Sequence, residues 1–192
     1  MNEIILDLET KETFDEVGSY NPELLHMSLL GAYISEVNDY KAYREDGLGK
    51  LWPYLERADI VVGYNIKGFD WPVLKKYYPG DINKIPTLDM LEVLKNALGF
   101  RLKLDSVAKA NLPFSKSGHG LLAVEYYKKG EWEKLEKYCL DDVRVTREVY
   151  NKGRDNKMLY YTDNFGTKKA VAVDFTLKKG PSDKPINYTL PL

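Results

Sequence analysis

The distribution of apolar positions predicts a chain in which strands come first and helices then alternate with them. Apolar or β-favouring runs typical of strands occur at 4–10, 24–34, 39–43 and 60–64. Apolar residues at helical spacing, together with capping and stop signals, predict helices at 48–57, 70–77, 90–98, 104–111, 121–128 and 135–150. A strand meander followed by alternating strands and helices implies an α/β fold with a mixed central sheet flanked by helices.

Composition places the chain among ordinary globular proteins. It has 192 residues, of which 44% are hydrophobic and 30% charged. No apolar run is long enough to span a bilayer, and the first residues run straight into a strand, so no membrane partner and no secretory signal are expected. Cys139 is the only cysteine, which excludes an internal disulfide and a cysteine-based zinc site. These features favour a cytoplasmic location.

Charge is unevenly distributed along the chain. The net charge is −1, with 20 basic against 25 acidic residues in 1–150 and 8 against 4 in 151–192. An acidic body with a basic tail is consistent with a metal site plus a phosphate-facing extension, and equally with simple solubility.

Two carboxylates, Asp7 and Glu9, lie at the end of the first apolar run. Residues two apart on a strand share a face, with Cα atoms about 7 Å apart. At a separation of roughly 6 Å and an effective dielectric near 20, the two charges repel by about 3 kcal/mol. A bound cation would turn this cost into affinity, whereas the alternative is a pair of ordinary strand-end charges.

Two further motifs occur downstream in positions suited to chemistry. Gly63-Tyr64-Asn65-x3-Phe69-Asp70 follows a buried strand and opens a helix, where α/β sheets commonly build their sites. Tyr138-x3-Asp142 lies within a long amphipathic helix, so the two side chains share one face about 6 Å apart along the axis.

The three motifs, in this order over about 140 residues, resemble those of the DEDD superfamily of 3′–5′ exonucleases in its tyrosine subclass (DEDDy). The resemblance is closest to the exonuclease domain of family B DNA polymerases and its free-standing relatives, and it covers nearly all of residues 1–152. It implies a ribonuclease-H-like fold. The histidine subclass requires His-x4-Asp, but His26 and His119 are followed five residues on by Gly31 and Val124.

The resemblance also implies a role for each motif residue in a site that binds two divalent cations, Mg²⁺ or Mn²⁺. Asp7 would bridge both metals, Glu9 and Asp142 would complete the site of the nucleophile-activating metal, and Asp70 would hold the second metal through water. Tyr138 would orient the attacking water, because a phenol is a poor base near neutral pH. The donors are the hard oxygen ligands that these cations prefer.

Other residues have more than one interpretation. Asp141 is a rival to Asp142, although the family spacing selects Asp142. Thr10, Asn65 and Phe69 are candidates to contact the 3′-terminal nucleotide, the aromatic ring by stacking, and the alternative is that they shape the local turn. Four lysines could contact phosphates or simply be solvated; these are Lys67, Lys103, Lys109 and Lys116.

The C-terminal part, 153–192, is predicted to be an extension of the 1–152 exonuclease domain. It contains a β-hairpin at 158–162 and 170–175, and a basic, Pro-containing, loosely held tail from residue 177. The hairpin could extend the sheet, guide nucleic acid or contact another protein. Its aromatic and basic residues would suit strand binding, but a packed edge is favoured; these are Tyr160, Tyr161, Phe165, Lys168 and Lys169.

The sequence therefore predicts a metal-dependent 3′–5′ exonuclease that releases nucleoside 5′-monophosphates from single-stranded or frayed 3′ ends, with DNA favoured. The alternatives are a 3′–5′ exoribonuclease of the same superfamily and a non-catalytic nucleic-acid-binding module. A polymerase, helicase or other repair or processing partner would be a separate chain.

Overall fold

The computed structural model describes residues 1–113, 121–163 and 165–176 of the protein. The strands are β1 (Glu3–Thr10), β2 (Met27–Ile34), β3 (Asp39–Tyr43), β4 (Ile60–Gly63), β5 (Thr87–Asp89), β6 (Met158–Thr162) and β7 (Lys168–Ala172). The α-helices are α1 (Phe14–Val17), α2 (Trp52–Arg57), α3 (Asp70–Leu74), α4 (Met90–Leu98), α5 (Leu104–Asn111), α6 (Leu121–Lys128) and α7 (Trp132–Asn156). Short 3₁₀ helices occupy Pro22–Leu24, Glu45–Lys50 and Ile82–Lys84.

The main sheet has five strands in the order β3-β2-β1-β4-β5. β1, β2 and β3 form an antiparallel meander, whereas β4 and β5 are parallel to β1. The carboxyl ends of β1, β4 and β5 therefore meet at one edge of the sheet, and the three acidic motifs come from this edge or from the helix beside it. The predicted mixed sheet flanked by helices is confirmed.

The alternation of side chains along β1 divides the apolar core into two layers. Ile4, Leu6 and Leu8 pack with residues of α2 and α3 on one face of the sheet. Ile5 packs with residues of α4, α5 and α7 on the other face. Since Asp7 and Glu9 have the same parity as Ile5, they lie on the α7 face.

A glycine allows α7 to approach that face closely. Gly31 pairs with Asp7 across β1 and β2. A Cβ atom at this position would lie 2.9 Å from Cys139 Sγ and 2.9 Å from Val143 Cγ2, both on α7. Contacts this short do not occur in packed proteins, so glycine at position 31 sets the distance between α7 and the acidic end of β1.

The C-terminal hairpin is a separate two-stranded sheet, so the hypothesis that it extends the main sheet is wrong. Leu159, Tyr161 and Val171 pack in the same core layer as α7. Asn111, at the end of α5, acts like a strand partner: its Nδ2 donates to the Tyr160 carbonyl (2.7 Å) and its Oδ1 accepts from the Tyr160 N–H (3.0 Å). The hairpin therefore packs through Leu159, Tyr161 and Val171, whereas Phe165, Lys168 and Lys169 are exposed. The tail from residue 177 lies outside the described residues.

Most element boundaries agree with the sequence prediction, and the differences have local causes. The strand expected from residue 24 begins at Met27, because Asn21 caps a 3₁₀ turn over Pro22–Leu24 by accepting from the Glu23 N–H (3.1 Å). The helix expected over 48–57 is divided into a 3₁₀ and an α segment. α3 stops at Leu74 rather than 77, and α7 is longer than expected at both ends. The second hairpin strand is β7 at 168–172 rather than 170–175.

Within the described residues, no helix combines the length and apolar character required to cross a membrane.

Replacing Gly31 by Ala should destabilise the fold by about 1–3 kcal/mol, because the added methyl group would overpack the contact between β2 and α7. The free energy of unfolding in urea measures this loss. Gly47→Ala is the matched control, since a Cβ there meets nothing within 4 Å, and its effect should stay within about 0.5 kcal/mol. Equal stability of the two variants would show that the close approach of α7 is not needed.

Candidate active site

Asp7 and Glu9 bring two carboxylates together on β1. Their ligand atoms and the Cys139 sulfur all lie within 4.8 Å of one another. Asp7 is half-buried and Glu9 is buried. The register between β1 and β2 shifts just after Glu9, an irregularity of the kind often found beside active sites.

Helix α7 supplies the third carboxylate, Asp142, which is 1% exposed. Asp142, Glu9 and Asp7 all act electrostatically on the thiol of Cys139, so the three acids surround this residue. Burial first, and then these charges, raise the pKa of the Cys139 thiol well above its usual range. The thiol therefore stays protonated, and it donates to the Asp7 carbonyl (3.7 Å). The Cys139 side chain is fully buried and packs between the acids.

Asp70 is the fourth carboxylate and is only 3% exposed. Its Oδ1 accepts a hydrogen bond from the Leu8 N–H (3.1 Å), beyond the point where β4 stops pairing with β1. Phe69 occupies the N-cap position of α3, and Asp70 is the first residue of the helix. Burial, followed by the charge of Asp7, raises the pKa of Asp70 well above its usual range. The carboxylates of Asp70 and Asp7 therefore repel each other electrostatically.

The turn between β4 and α3 is held by Asp89, a residue that the sequence analysis missed. Asp89 Oδ1 accepts from the Asn65 N–H (2.9 Å) and Oδ2 from the Lys67 N–H (3.1 Å). It also accepts from the first amides of α4, at Leu91 (3.0 Å) and Glu92 (3.3 Å). Because Asp89 lies between β5 and α4, the sequence indicates that it can cap the helix. The sequence does not show that the same carboxylate also binds the turn at Asn65, 24 residues away.

Asn65 and the motif glycine make this turn tight. Asn65 has a φ of +67°, in the left-handed region that asparagine tolerates better than most residues. A Cβ atom at Gly63 would lie 2.7 Å from the Cβ of Ile66, so no larger residue fits there. The Asn65 side chain reaches outward, where its Oδ1 accepts from Arg101 Nη2 (2.8 Å).

A cleft of about 400 Å³ opens over Asp7, Glu9 and Asp70. The three predicted substrate-contact residues, Thr10, Asn65 and Phe69, all line this acid cleft. The Phe69 ring packs edge-on against Phe14 at 6.1 Å between centroids, and Phe14 lines the cleft as well. Thr10 Oγ1 donates to the Glu12 carbonyl (2.8 Å), so it also shapes the following loop.

The sequence analysis predicts no helix between residues 11 and 21, so the position of Phe14 on α1 was not predicted. The available signal was the pattern Thr13-x-x-Glu16, which forms a capping box at the start of α1. An ion pair between Glu16 and Lys128 joins α1 to α6. Leu121 of α6 lines the same cleft.

Tyr138 and the two neighbouring aspartates of α7 occupy different environments. Tyr138 is buried and packs edge-on against Tyr126 of α6, at 6.5 Å between centroids. Asp142 faces the interior, whereas Asp141 is partly exposed and pairs with Arg144 (3.5 Å). The helix thus directs Asp142, rather than its rival, toward the acids of β1.

The lysines proposed as phosphate contacts are placed differently from one another. Lys67 forms an ion pair with Glu92 (2.6 Å) and Lys109 with Asp105 (2.6 Å). Lys103 is exposed just before α5. Lys116 and His119 lie outside the described residues.

Residues 4–153 match the model of the RNase H superfamily, and the protein therefore belongs to that superfamily. No curated protein sequence matches the chain.

Two solved structures are similar to this chain, and the first of them has the same fold. The family B DNA polymerase of the hyperthermophilic archaeon Pyrobaculum calidifontis is similar over 80% of this chain and 24% of its own, with 19% identity and a TM-score of 0.57. The zinc-bound complex of Escherichia coli ExoI with single-stranded DNA is similar over 89% of this chain and 51% of its own, with 14% identity and a TM-score of 0.45. The chain spans about a quarter of the former and half of the latter.

Asp70→Asn should raise the melting temperature in the presence of EDTA. The buried charge of Asp70 costs stability beside Asp7, and the amide oxygen can still accept from the Leu8 N–H. A gain of about 1 kcal/mol would appear as roughly 2–4 °C in thermal unfolding. Asp46→Asn, on an exposed residue, is the control and should leave the melting temperature unchanged. A lower melting temperature for Asp70→Asn would mean that its charge stabilises the metal-free protein.

Proposed function

We propose that the protein is a metal-dependent 3′–5′ exonuclease of the tyrosine (DEDDy) subclass. It hydrolyses the terminal phosphodiester bond at single-stranded or frayed 3′ ends, DNA favoured, and releases nucleoside 5′-monophosphates. Membership of the RNase H superfamily supports a nuclease, and the order and spacing of the acidic motifs support this subclass.

The observation that carries the proposal is the convergence of four acids from three elements. Asp7 and Glu9 come from β1, with ligand atoms within 4.8 Å. Asp70 comes from α3, and its pKa is raised by burial and then by the charge of Asp7. Asp142 comes from α7, and its charge acts on the Cys139 thiol, as do the charges of Asp7 and Glu9. A fold has no structural need for so much buried negative charge, and hard oxygen donors at this density suit Mg²⁺ or Mn²⁺.

The residues fit a two-metal site. Asp7 would bridge both cations, Glu9 and Asp142 would complete one site, and Asp70 would serve the other. Bound divalent cations supply a deprotonated water near neutral pH and stabilise the leaving 3′-oxygen. The remaining work belongs to the protein, which must hold its carboxylates ionised and in place.

The scaffold provides this positioning. The Leu8 N–H fixes the Asp70 carboxylate, and the close packing of α7 at Gly31 fixes the position of Asp142 relative to β1. Tyr138, one turn before Asp142, would orient the attacking water by hydrogen bonding rather than by removing its proton.

The aromatic side of the acid cleft suits the terminal base. Phe69 and Phe14 present ring surfaces to the cleft, and base–aromatic stacking binds single strands with little sequence preference. Asn65 and Thr10 offer polar groups at the same cleft for the terminal nucleotide.

The proposal is tested by digesting 5′-labelled single-stranded DNA and RNA with Mg²⁺, with Mn²⁺ or with EDTA. We expect a descending ladder of products with either metal and none with EDTA, and nucleoside 5′-monophosphates as the released product. The faster polymer identifies the substrate class. If neither polymer is cleaved under any metal condition, the proposed exonuclease activity is refuted, and the alternative of a non-catalytic nucleic-acid-binding module is favoured.

Matched variants on α7 and β1 control this digestion. Asp142→Asn and Asp7→Ala should each lower the rate by at least about 100-fold, because each removes a metal ligand. Asp141→Asn should keep the wild-type rate. Circular dichroism should show that all three remain folded. The opposite result for the Asp141 and Asp142 variants would reassign the α7 ligand.

Tyr138→Phe should lower kcat by roughly 10- to 100-fold with little change in the Mn²⁺ concentration giving half-maximal rate, because it removes one hydrogen bond to water but no metal ligand. Tyr126→Phe is the control, since it removes a hydroxyl from the ring that packs against Tyr138. If Tyr138→Phe keeps the wild-type kcat, Tyr138 is only a packing residue.

A further inference from the structure

A second cleft adjoins the acid cleft on the far side of Asn65. It has a volume of about 310 Å³, and Asn65 lines both clefts. Its walls carry three cationic residues, Lys67, Lys95 and Arg101. None of the four acids of the active site lines it.

The charges of this second cleft are only partly balanced. Lys67 is paired with Glu92 at 2.6 Å. The buried carboxylate of Asp89 is occupied by four backbone N–H groups of its own turn and helix. Arg101 is exposed and its guanidinium donates to a neutral partner, the Asn65 Oδ1. Arg101 and Lys95 are both exposed residues in the lining of the second cleft.

The direction of exonuclease cleavage determines which phosphates of the substrate can lie in a cleft beside the acid cleft. When a 3′ end is cut one nucleotide at a time, a single nucleotide lies on the 3′ side of the scissile bond. Every other phosphate of the polymer belongs to the 5′ side. Any phosphate of the bound single strand that lies in a cationic cleft next to the acid cleft, other than the scissile one, must therefore belong to the 5′ side.

We propose that the second cleft is a phosphodiester subsite for the 5′ side of the bound single strand, with Arg101 as its main contact and Lys95 as a secondary one. This inference rests on the proposed function. It assigns a binding role to Arg101, which follows the glycine that ends α4 and carries no motif of its own.

The geometry of Arg101 suits this role. A guanidinium has five N–H donors in a fixed fork, and the bond to Asn65 uses one of them. The remaining donors match the oxygens of a phosphodiester. Asn65 is itself held by Asp89, so the bond anchors Arg101 to a rigid turn at the junction of the two clefts.

A purely structural role for Arg101 makes a different prediction. If Arg101 only orients the Asn65 amide, its loss would affect the terminal nucleotide and therefore every substrate equally. If it binds a 5′-side phosphate, its loss would affect only substrates that possess such a phosphate. The dinucleotide dT-dT has a single phosphodiester bond and no 5′-side phosphate, whereas a twelve-residue oligothymidylate has ten.

The test compares Arg101→Gln with Arg57→Gln on these two substrates. Arg57 ends α2 before the opposite end of β4 and pairs with Glu36 (3.4 Å), so it is a matched exposed arginine away from both clefts. For Arg101→Gln we expect KM for the twelve-mer to rise about 5- to 30-fold, and at least fivefold more than any change in KM for the dinucleotide. The slope of log KM against log salt should fall by about 0.7 for each lost phosphate contact. Arg101→Lys should recover part of the loss, and Arg57→Gln should behave as wild type.

Unchanged KM and salt slope for Arg101→Gln, or an equal loss on both substrates, would overturn the inference. If the protein cleaves neither DNA nor RNA, the proposed function is refuted. Binding of the fluorescently labelled twelve-mer in EDTA would then test separately whether the second cleft binds phosphodiesters. Weaker binding by Arg101→Gln but not by Arg57→Gln supports the subsite, and equal binding by both overturns it.

Discussion

The confinement of negative charge at the carboxyl end of β1 is the constraint on which the rest of the structure depends. Asp70 is buried beside Asp7, and both burial and that neighbour disfavour its ionised form. The apolar layers on the two faces of β1 must supply the stability that this arrangement removes. Such a concentration of carboxylates is expected where a protein keeps an electrostatically costly arrangement for its chemistry.

The acids are held by neutral parts of the fold. A backbone N–H of β1 binds the Asp70 carboxylate, and a thiol occupies the space between the β1 acids and Asp142. Gly31 allows α7 to lie close enough to contribute Asp142. Backbone, sulfur and glycine carry no charge, so these groups position the acids without adding a charge of their own.

The sequence predicted the parts of this arrangement that depend on local pattern. The apolar run of β1, the capped α4 and the amphipathic α7 each follow from periodicity, and the shared face of Asp7 and Glu9 follows from strand geometry. Asp89, Phe14 and Arg101 were not predicted because their roles depend on tertiary contacts. Asp89 appeared only as a residue before a helix, and nothing local shows that it bonds to the turn at Asn65.

The positions of the basic side chains near the active site are related to the same concentration of negative charge. If the protein acts as proposed, a lysine or arginine among the four acids would compete with a metal, yet a polyanionic strand approaching those acids would be repelled. The two requirements are compatible if positive charge lies next to the acids but is separated from them by a neutral group. Asn65 is such a group: it lines the acid cleft and binds Arg101 through its amide oxygen. In the proposed function, the turn that Asp89 holds together therefore lies between the acids that would bind cations and the guanidinium of Arg101.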